Sequence, residues 1–495
     1  MSQFHSIVSR RDFMKGLGLV GAGVGAAGAA SPVFHDMDEM ASSTTSLQHN
    51  PWWVKNVNEP TTPIDWNVLK PSRTAYVGTD MFGGVGHDVW KRSRAETQKR
   101  MIDYLKNEDP NWQPGPNLLG LKAASTDPQY PDFAGDIKDN ALATGSALLT
   151  AGVFPMEVIM ATGGKYMALT DRPEGWREVP YITQRGGTKW QGSPEEALKV
   201  VRAAARFYGF DDVQAIPVDE KFLKVMWGTK QMLVSHAPTK FEFGDVDDFV
   251  CTPKVMPTKV IIPNKCKWFL NFTCRQPGET TRHSQCTTQN AGQIYSYTNW
   301  IKTFKHVQDF LWGLGYISLD NIHGRFIPTG FTGTMCGAGE LSRWSGILTP
   351  KYGNMTRVVH GVLTDLPLAE TSPVDFGARK FCETCGICAD SCPQGAIQQG
   401  EATWDARYAW ENSGYLGWRN DLTLCNHCPV CQGVCPFNAF DKSGIHEIIK
   451  STISTTSLFN GFFRSMDKTF HYGRKPAAEW WDDPNQPVWG MDTTV

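Results

Sequence analysis

Past its first thirty residues, this 495-residue chain has no uninterrupted apolar run of the roughly 18 to 20 residues that a membrane-spanning helix requires. The stretch "ALLTAGVFPMEVIM" is broken by Pro155 and Glu157, and "FLWGLGYISL" is too short. The chain beyond those residues is therefore expected to be soluble, or held at a membrane by a partner. Basic runs are also missing outside the N-terminal residues, and 48 Lys and Arg against 50 Asp and Glu leave a formal charge of -2. The electrostatic footprint of a phosphate-backbone binder is absent, so nucleic acid is not expected as a partner. A disulfide framework would be out of place too. Such frameworks staple small secreted chains, whereas 41% hydrophobic and 20% charged residues over this length build a core without staples.

Thirteen cysteines are nevertheless present, and eight of them fall into two copies of one pattern. "CETCGICADSCP" spaces Cys382, Cys385, Cys388 and Cys392 as C-x2-C-x2-C-x3-C-P, and "CNHCPVCQGVCP" repeats it with Cys425, Cys428, Cys431 and Cys435. The runs continue as "PQGAI" and "PFNAF", so this is an internal repeat. Zinc usually takes two C-x2-4-C pairs separated by a longer spacer, not a triplet plus Cys-Pro. The spacing resembles that of bacterial two-cluster ferredoxins, in which three thiolates of one run bind a 4Fe-4S cluster and the fourth ligates the other cluster. That resemblance implies crossed ligand sets: Cys382, Cys385 and Cys388 with Cys435, and Cys425, Cys428 and Cys431 with Cys392. The remaining Cys251, Cys266, Cys274, Cys286 and Cys336 show no ligand spacing, and an odd number cannot all pair, so most are expected as buried thiols. The 18 tryptophans and 26 phenylalanines are expected mainly in core packing. A ferredoxin needs little more than the two runs, yet about 350 residues precede them, enough for a separate folded domain that supplies or consumes electrons.

The N-terminus reads as an address. "SRRDFMK" (residues 9–15) precedes the Gly- and Ala-rich "GLGLVGAGVGAAGAA" (16–30), the pattern of a twin-arginine export signal. "AGA" at 27–29 suits cleavage, which places the start of the mature chain near residue 30 or 31. Residues 31–190 are rich in Pro, Gly, Asn and Asp with little sustained periodicity, and are expected to form a loop-rich region covering a core. "SPEEALKVVRAAARFYGF" predicts a helix: Ser193 caps, Pro194 fits the first turn, Glu196 completes a capping box, Ala197, Leu198, Val201, Ala204 and Ala205 form the stripe, and Gly209 stops it. "VQAIPV", "TKVIIPNKCKWFLNFT" and "RVVHGVLTDLPL" predict extended structure. "TNWIKTFKHVQDFLWGLGY" predicts a helix with Ile301, Phe304, Val307, Leu311 and Leu314 on one face. The alternation argues for an α/β or α+β fold. A core is expected over 191–369, a two-cluster ferredoxin-like domain over 370–445, and a C-terminal extension over 446–495 that docks on the core or meets a partner, with Trp480 and Trp481 looking exposed.

An export signal, a long α/β domain and a C-terminal pair of cluster motifs, in that order, resemble the reductive dehalogenases of organohalide-respiring bacteria. The resemblance covers nearly the whole chain. It implies a nitroreductase-like core holding a corrinoid (cobamide), fed by the two 4Fe-4S clusters, that replaces halogen by hydrogen on an organohalide such as a chlorinated ethene or haloarene. No D-x-H-x-x-G occurs in the chain, so no histidine is marked as a lower cobalt ligand and a base-off cofactor is implied. The resemblance further implies a peripheral place on the outer face of the cytoplasmic membrane, with a small integral-membrane anchor protein and a membrane electron donor as partners. The segments "SYTNW" and "GLGY" put Tyr297 at the family's proton-donor position, and "GAGELSRWSGILTPKYGNMTR" puts Arg357 at its paired arginine. A third position falls in "LDNIHG" on either Asn321 or His323. A guanidinium beside the phenol, and the positive end of a helix expected to begin just after Tyr297, would each stabilise a phenolate and ease proton release. Two other readings stand beside this one. An epoxyqueuosine reductase-like cobamide enzyme is disfavoured by the export signal and the lack of basic charge. An exported iron-sulfur electron-transfer subunit would contain iron without cobalt.

Overall fold

The structure is a computed structural model. It describes residues 50–71, 94–112, 188–226, 228–230, 239–252, 258–283, 287–320, 327–407, 411–425, 428–438, 445–471, 473–476, 479–484 and 486–487. The expected export signal, most of the loop-rich region, Cys286, Asn321 and His323 lie outside the described residues.

A four-stranded antiparallel sheet organises the core, in the order Asp212–Pro217, Trp268–Arg275, Thr356–Thr364, Leu319–Asp320. Side chains alternate across a strand, and both faces of the central strand are buried, the one with Phe269 also carrying Asn271 and Thr273. Leu270, Phe272 and Cys274 face one way and pack with Trp300, Phe304, Val307 and Leu311 of the Thr287–Leu314 helix and with Ala197, Leu198, Val201 and Ala205 of the Pro194–Tyr208 helix. Phe269 faces the other way, onto Phe241, Val260 and Ile262 of a second four-stranded sheet. That sheet contains a parallel pair, Thr239–Gly244 beside Lys259–Pro263. The extended segment read from "TKVIIPNKCKWFLNFT" is thus two strands, Lys259–Pro263 and Trp268–Arg275, serving different sheets.

Local chemistry explains the Pro194–Tyr208 helix. The Ser193 hydroxyl accepts from the Glu196 N–H at 3.2 Å, the Glu196 carboxylate accepts from the Ser193 N–H at 2.8 Å, and Gly209 closes the helix at φ 119. Arg202 joins the buried face where only apolar residues were expected, because its guanidinium reaches the Val213 carbonyl at 2.8 Å and Asp212 at 2.8 Å. Ala204 is only half-buried.

A third apolar cluster joins the C-terminal cysteine segment to N-terminal pieces. Trp53, Ile102, Leu105 and Trp112 pack with Phe376, Phe381, Val430, Val434 and Phe437. Residues Lys55–Asn56 pair with Val374–Asp375. The Arg94–Glu108 helix falls in a region where the sequence shows little periodicity; its buried face is narrow, Thr97 with the apolar Met101, Ile102 and Leu105, on an otherwise largely polar helix. The Asn460–Phe470 helix folds back on the Ala378–Cys385 helix: the Arg464 guanidinium donates to the Cys385 carbonyl, and Lys468 pairs with Asp390 at 2.5 Å. Trp480 and Trp481 are half-buried, packed edge to face at 4.6 Å. Among the described residues, no helix is long and apolar enough to cross a membrane.

Candidate functional site

Tyr297 and Arg357 come from different elements and meet. Tyr297 projects from the Thr287–Leu314 helix, and Arg357 lies in the Thr356–Thr364 strand, paired in register with Cys274 just before a bulge that separates Arg357 from His360. The shared register puts Arg357 and Cys274 on one face of the sheet, the face covered by that helix: the Cys274 thiol approaches the Ser296 carbonyl at 3.8 Å, and the Arg357 guanidinium lies over the Tyr297 ring, 5.2 Å from its centre. Arg357 is 5% exposed. Its Nε and Nη2, and the Oε1 of Gln293 one turn before Tyr297, are buried without a hydrogen-bond partner among the described residues. Unpaired buried polar atoms are costly, so these atoms on the two elements that carry Tyr297 and Arg357 are available to hydrogen-bond a polar ligand.

One expectation is corrected. The helix bearing Tyr297 begins at Thr287, not just after Tyr297. Tyr297 therefore lies nearly three turns inside it, and the helix-end field, which fades within the first turn, does not act on its hydroxyl. The Arg357 guanidinium is the positive group in place.

Three cysteines of the first run meet one of the second. Cys382, Cys385, Cys388 and Cys435 together line one cavity, closed by Phe381, Phe437, Arg343 and Trp344. Burial, then neighbouring backbone and charges, sets these thiols: Cys382 is pushed up to about 11 and Cys385 to about 12. Burial also raises Cys435, which next feels Cys382 and, further down, Cys385 and Cys388. In the other set, burial raises Cys431, followed by the charges of Cys425, Cys428, Cys388 and Cys392. Cys388 thus neighbours both sets. Four sulfurs around a single cavity are a donor set that suits a four-iron cluster, which must displace the thiol protons on binding. Cys266, Cys274 and Cys336 are buried thiols, as expected for cysteines outside the repeat.

The cavity and the Tyr297–Arg357 pair are joined by one stretch of chain. Ser342, Arg343, Trp344, Leu348 and Asn354 line the cavity, and the same stretch ends at Arg357. Gly353 makes the close approach possible. It has φ +59, and a Cβ there would lie 2.3 Å from the Phe437 carbonyl oxygen. The Asn354 N–H donates to Asn438 Oδ1 at 3.0 Å, tying this stretch to the second Cys-Pro run.

Two residues of this site carry no motif. Glu340, 1% exposed, accepts from the backbone N–H groups of Phe376 at 3.0 Å, Ala378 at 2.8 Å and Arg379 at 3.3 Å, and so holds the start of the Ala378–Cys385 helix. Arg343 holds the Cys382 carbonyl from Nη2 at 2.9 Å. Both act across about forty residues of sequence or fewer, and no local spacing marks them.

A family model described as "Reductive dehalogenase subunit" matches residues 135–368, and one described as "4Fe-4S dicluster domain" matches residues 381–439. The chain is 33% identical to a chloroethene reductive dehalogenase of Dehalococcoides mccartyi strain VS, over 99% of each chain. It is 30% identical to a trichloroethene reductive dehalogenase of Dehalococcoides mccartyi strain 195, over 100% of this chain and 99% of that one. Its fold is similar to that of a solved reductive dehalogenase reported with a mechanism for B12-dependent dehalogenation, with a TM-score of 0.54 and 17% identity over 88% of this chain; it spans only 52% of that longer chain. With end-to-end similarity to two such enzymes, a two-cluster domain placed on its repeated cysteine runs and a matching mixed helix and strand fold, the chain belongs to the reductive dehalogenase family of oxidoreductases.

Proposed function

We propose that this protein is an exported respiratory reductive dehalogenase that replaces halogen by hydrogen on a chlorinated ethene, with haloarenes the second candidate class. The names of the two full-length relatives support the ethene class. The net reaction is R–X plus two electrons and a proton giving R–H and halide. Cys382, Cys385, Cys388 and Cys435 would hold one 4Fe-4S cluster, and Cys425, Cys428, Cys431 and Cys392 the other. A base-off corrinoid would lie in a nitroreductase-like core, where the unpaired atoms of Arg357 and Gln293 offer hydrogen bonds to its polar edge. When bound, the clusters carry single electrons and the reduced corrinoid cobalt supplies the reducing power for the carbon–halogen bond.

The protein's own part is proton delivery and enclosure. Tyr297 gives the proton from its hydroxyl, and the Arg357 cation over its ring stabilises the negative charge left behind. Burial of Arg357 keeps water from screening that interaction. The observation that carries the reading is the continuity of residues 342–357, which line the four-cysteine cavity and end against Tyr297. One stretch of chain shared by electron store and proton donor suits a reaction that consumes both. Export by the twin-arginine route would place the enzyme on the outer face of the cytoplasmic membrane, beside a small membrane anchor and a membrane electron donor.

Protein reconstituted anaerobically with iron, sulfide and corrinoid should contain cobalt as well as iron, and should release chloride from chlorinated ethenes with a low-potential dye as donor. Iron without cobalt and no halide release from any organohalide would support an electron-transfer subunit instead.

A further inference from the structure

We propose that Arg343 is a positioning residue that raises the reduction potential of the cluster held by Cys382, Cys385, Cys388 and Cys435, biasing electrons toward the side of the molecule that carries Tyr297 and Arg357. This rests on the cluster assignment above.

Arg343 is 3% exposed and its side chain lines the four-cysteine cavity. Among the described residues, all the hydrogen bonds of its side chain go to neutral carbonyls. Nε and Nη2 donate to Cys382 O at 3.3 and 2.9 Å, and Nη1 donates to Gln398 O at 3.1 Å and Gly400 O at 2.7 Å. Among the described residues no carboxylate is within ion-pair distance of it. An arginine stays charged under all ordinary conditions, so a positive charge with no ion-pair partner among the described residues lines the cavity, while Arg379 and the buried Glu340 also act on Cys382. The guanidinium is also held in orientation. Its Cζ lies 4.4 Å from the centre of the Trp418 ring, against which the Arg379 guanidinium also packs, at 4.1 Å.

Four thiolates around four irons carry net negative charge, and reduction adds one unit more. A buried cation beside such a group stabilises the reduced form over the oxidised one, and the low dielectric of the interior strengthens the effect. A guanidinium that only braced the Cys382 backbone would set cluster stability without setting potential. The distinction is measurable.

The test is an electron paramagnetic resonance redox titration of the full chain reconstituted with iron and sulfide, comparing wild type, Arg343→Gln and Arg343→Lys, each with its iron content measured. The wild type should show two one-electron waves and a full complement of iron; a single wave or none sinks the cluster assignment itself, whatever Arg343 does. In Arg343→Gln one wave should fall by about tenfold in its reduced-to-oxidised ratio, which is ~59 mV for a one-electron couple, while the other stays in place. Arg343→Lys, which keeps the charge but not the planar fork, should hold that wave within about threefold of wild type. Both waves unmoved in a fully loaded Arg343→Gln would overturn the proposal. So would Arg343→Lys falling as far as Arg343→Gln. Should Arg343→Gln fail to load with iron, Arg343→Lys decides alone: a tenfold fall overturns the role of charge, and a wave held in place supports it.

Discussion

Two side chains carry predictions of their own. Tyr297 is half-buried on a long helix whose packing rests on Trp300, Phe304 and Val307 rather than on its hydroxyl, so Tyr297→Phe should leave the fold and both clusters intact. Losing a positioned general acid should lower dehalogenation about a hundredfold to ten-thousandfold, measured as chloride release alongside iron content; a wild-type rate would remove Tyr297 from the chemistry. Glu340 differs because its role is structural and its charge is expensive. Burial lifts its carboxyl from the ordinary 4.5 to about 7, against the pull of Thr61 and the N–H groups of Phe376 and Ala378. A carboxyl that ionises less readily in the folded chain favours folding fully below its unfolded value. That contribution is lost as pH rises through the window from 4.5 to about 7, and no further change follows above it. The stability of wild type relative to Glu340→Gln should therefore decline across that window and level off beyond it, read from denaturant midpoints under anaerobic conditions. A difference that does not vary with pH there would show that Glu340 is not held in a raised state.

At the scale of an element, the Pro194–Tyr208 helix is specified at both ends by neighbouring residues, and its buried stripe faces the Thr287–Leu314 helix, whose other contacts place Tyr297. Ser193→Ala should remove the hydroxyl that satisfies the Glu196 N–H and cost about 1 kcal/mol. A urea midpoint shift without a change in slope would report it. Because Ser193 contacts neither cysteines nor Tyr297, dehalogenation per folded molecule should be unchanged. The Thr287–Leu314 helix was legible only in its second half. Ile301, Phe304, Val307, Leu311 and Leu314 show the helical period, whereas "TTQNAGQIYSYT" has no continuous apolar stripe. That first part is helical because it is the continuation of a packed helix and rests against the Gly278–Thr281 turn. The Arg94–Glu108 helix is hidden in the sequence for a related reason: three buried apolar residues suffice once another surface is there to receive them.

Across the whole molecule, the two cysteine runs depend on one another. Cys435 belongs to the second run by sequence and to the first run's cavity by position. Cys435→Ser should therefore damage the cluster assigned to Cys382, Cys385 and Cys388 and spare the one assigned to Cys425, Cys428, Cys431 and Cys392. The spectrum of the reduced variant should retain one intact four-iron signal, and Cys392→Ser should retain the other. If each substitution instead abolished the cluster of its own run, the crossing would be wrong. The same interleaving makes the C-terminal segment inseparable from the N-terminal pieces: Trp53, Ile102 and Leu105 share its apolar cluster, and Lys55–Asn56 complete its short strand pair.

What could be read from the order of residues alone was whatever physics acts over short chain distances. The cysteine spacing, the capping box around Ser193 and the short extended runs are local constraints, and family likeness added Tyr297 and Arg357. Folding in three dimensions settled how distant parts meet. It brought Arg357 over a ring sixty residues away in the chain, placed Glu340 at the head of the cysteine-bearing helix, and put the Arg343 charge beside four sulfurs. Such contacts arise from burying separate apolar surfaces together, and a buried charge finds its partner only after those surfaces have closed. No spacing within either segment encodes them.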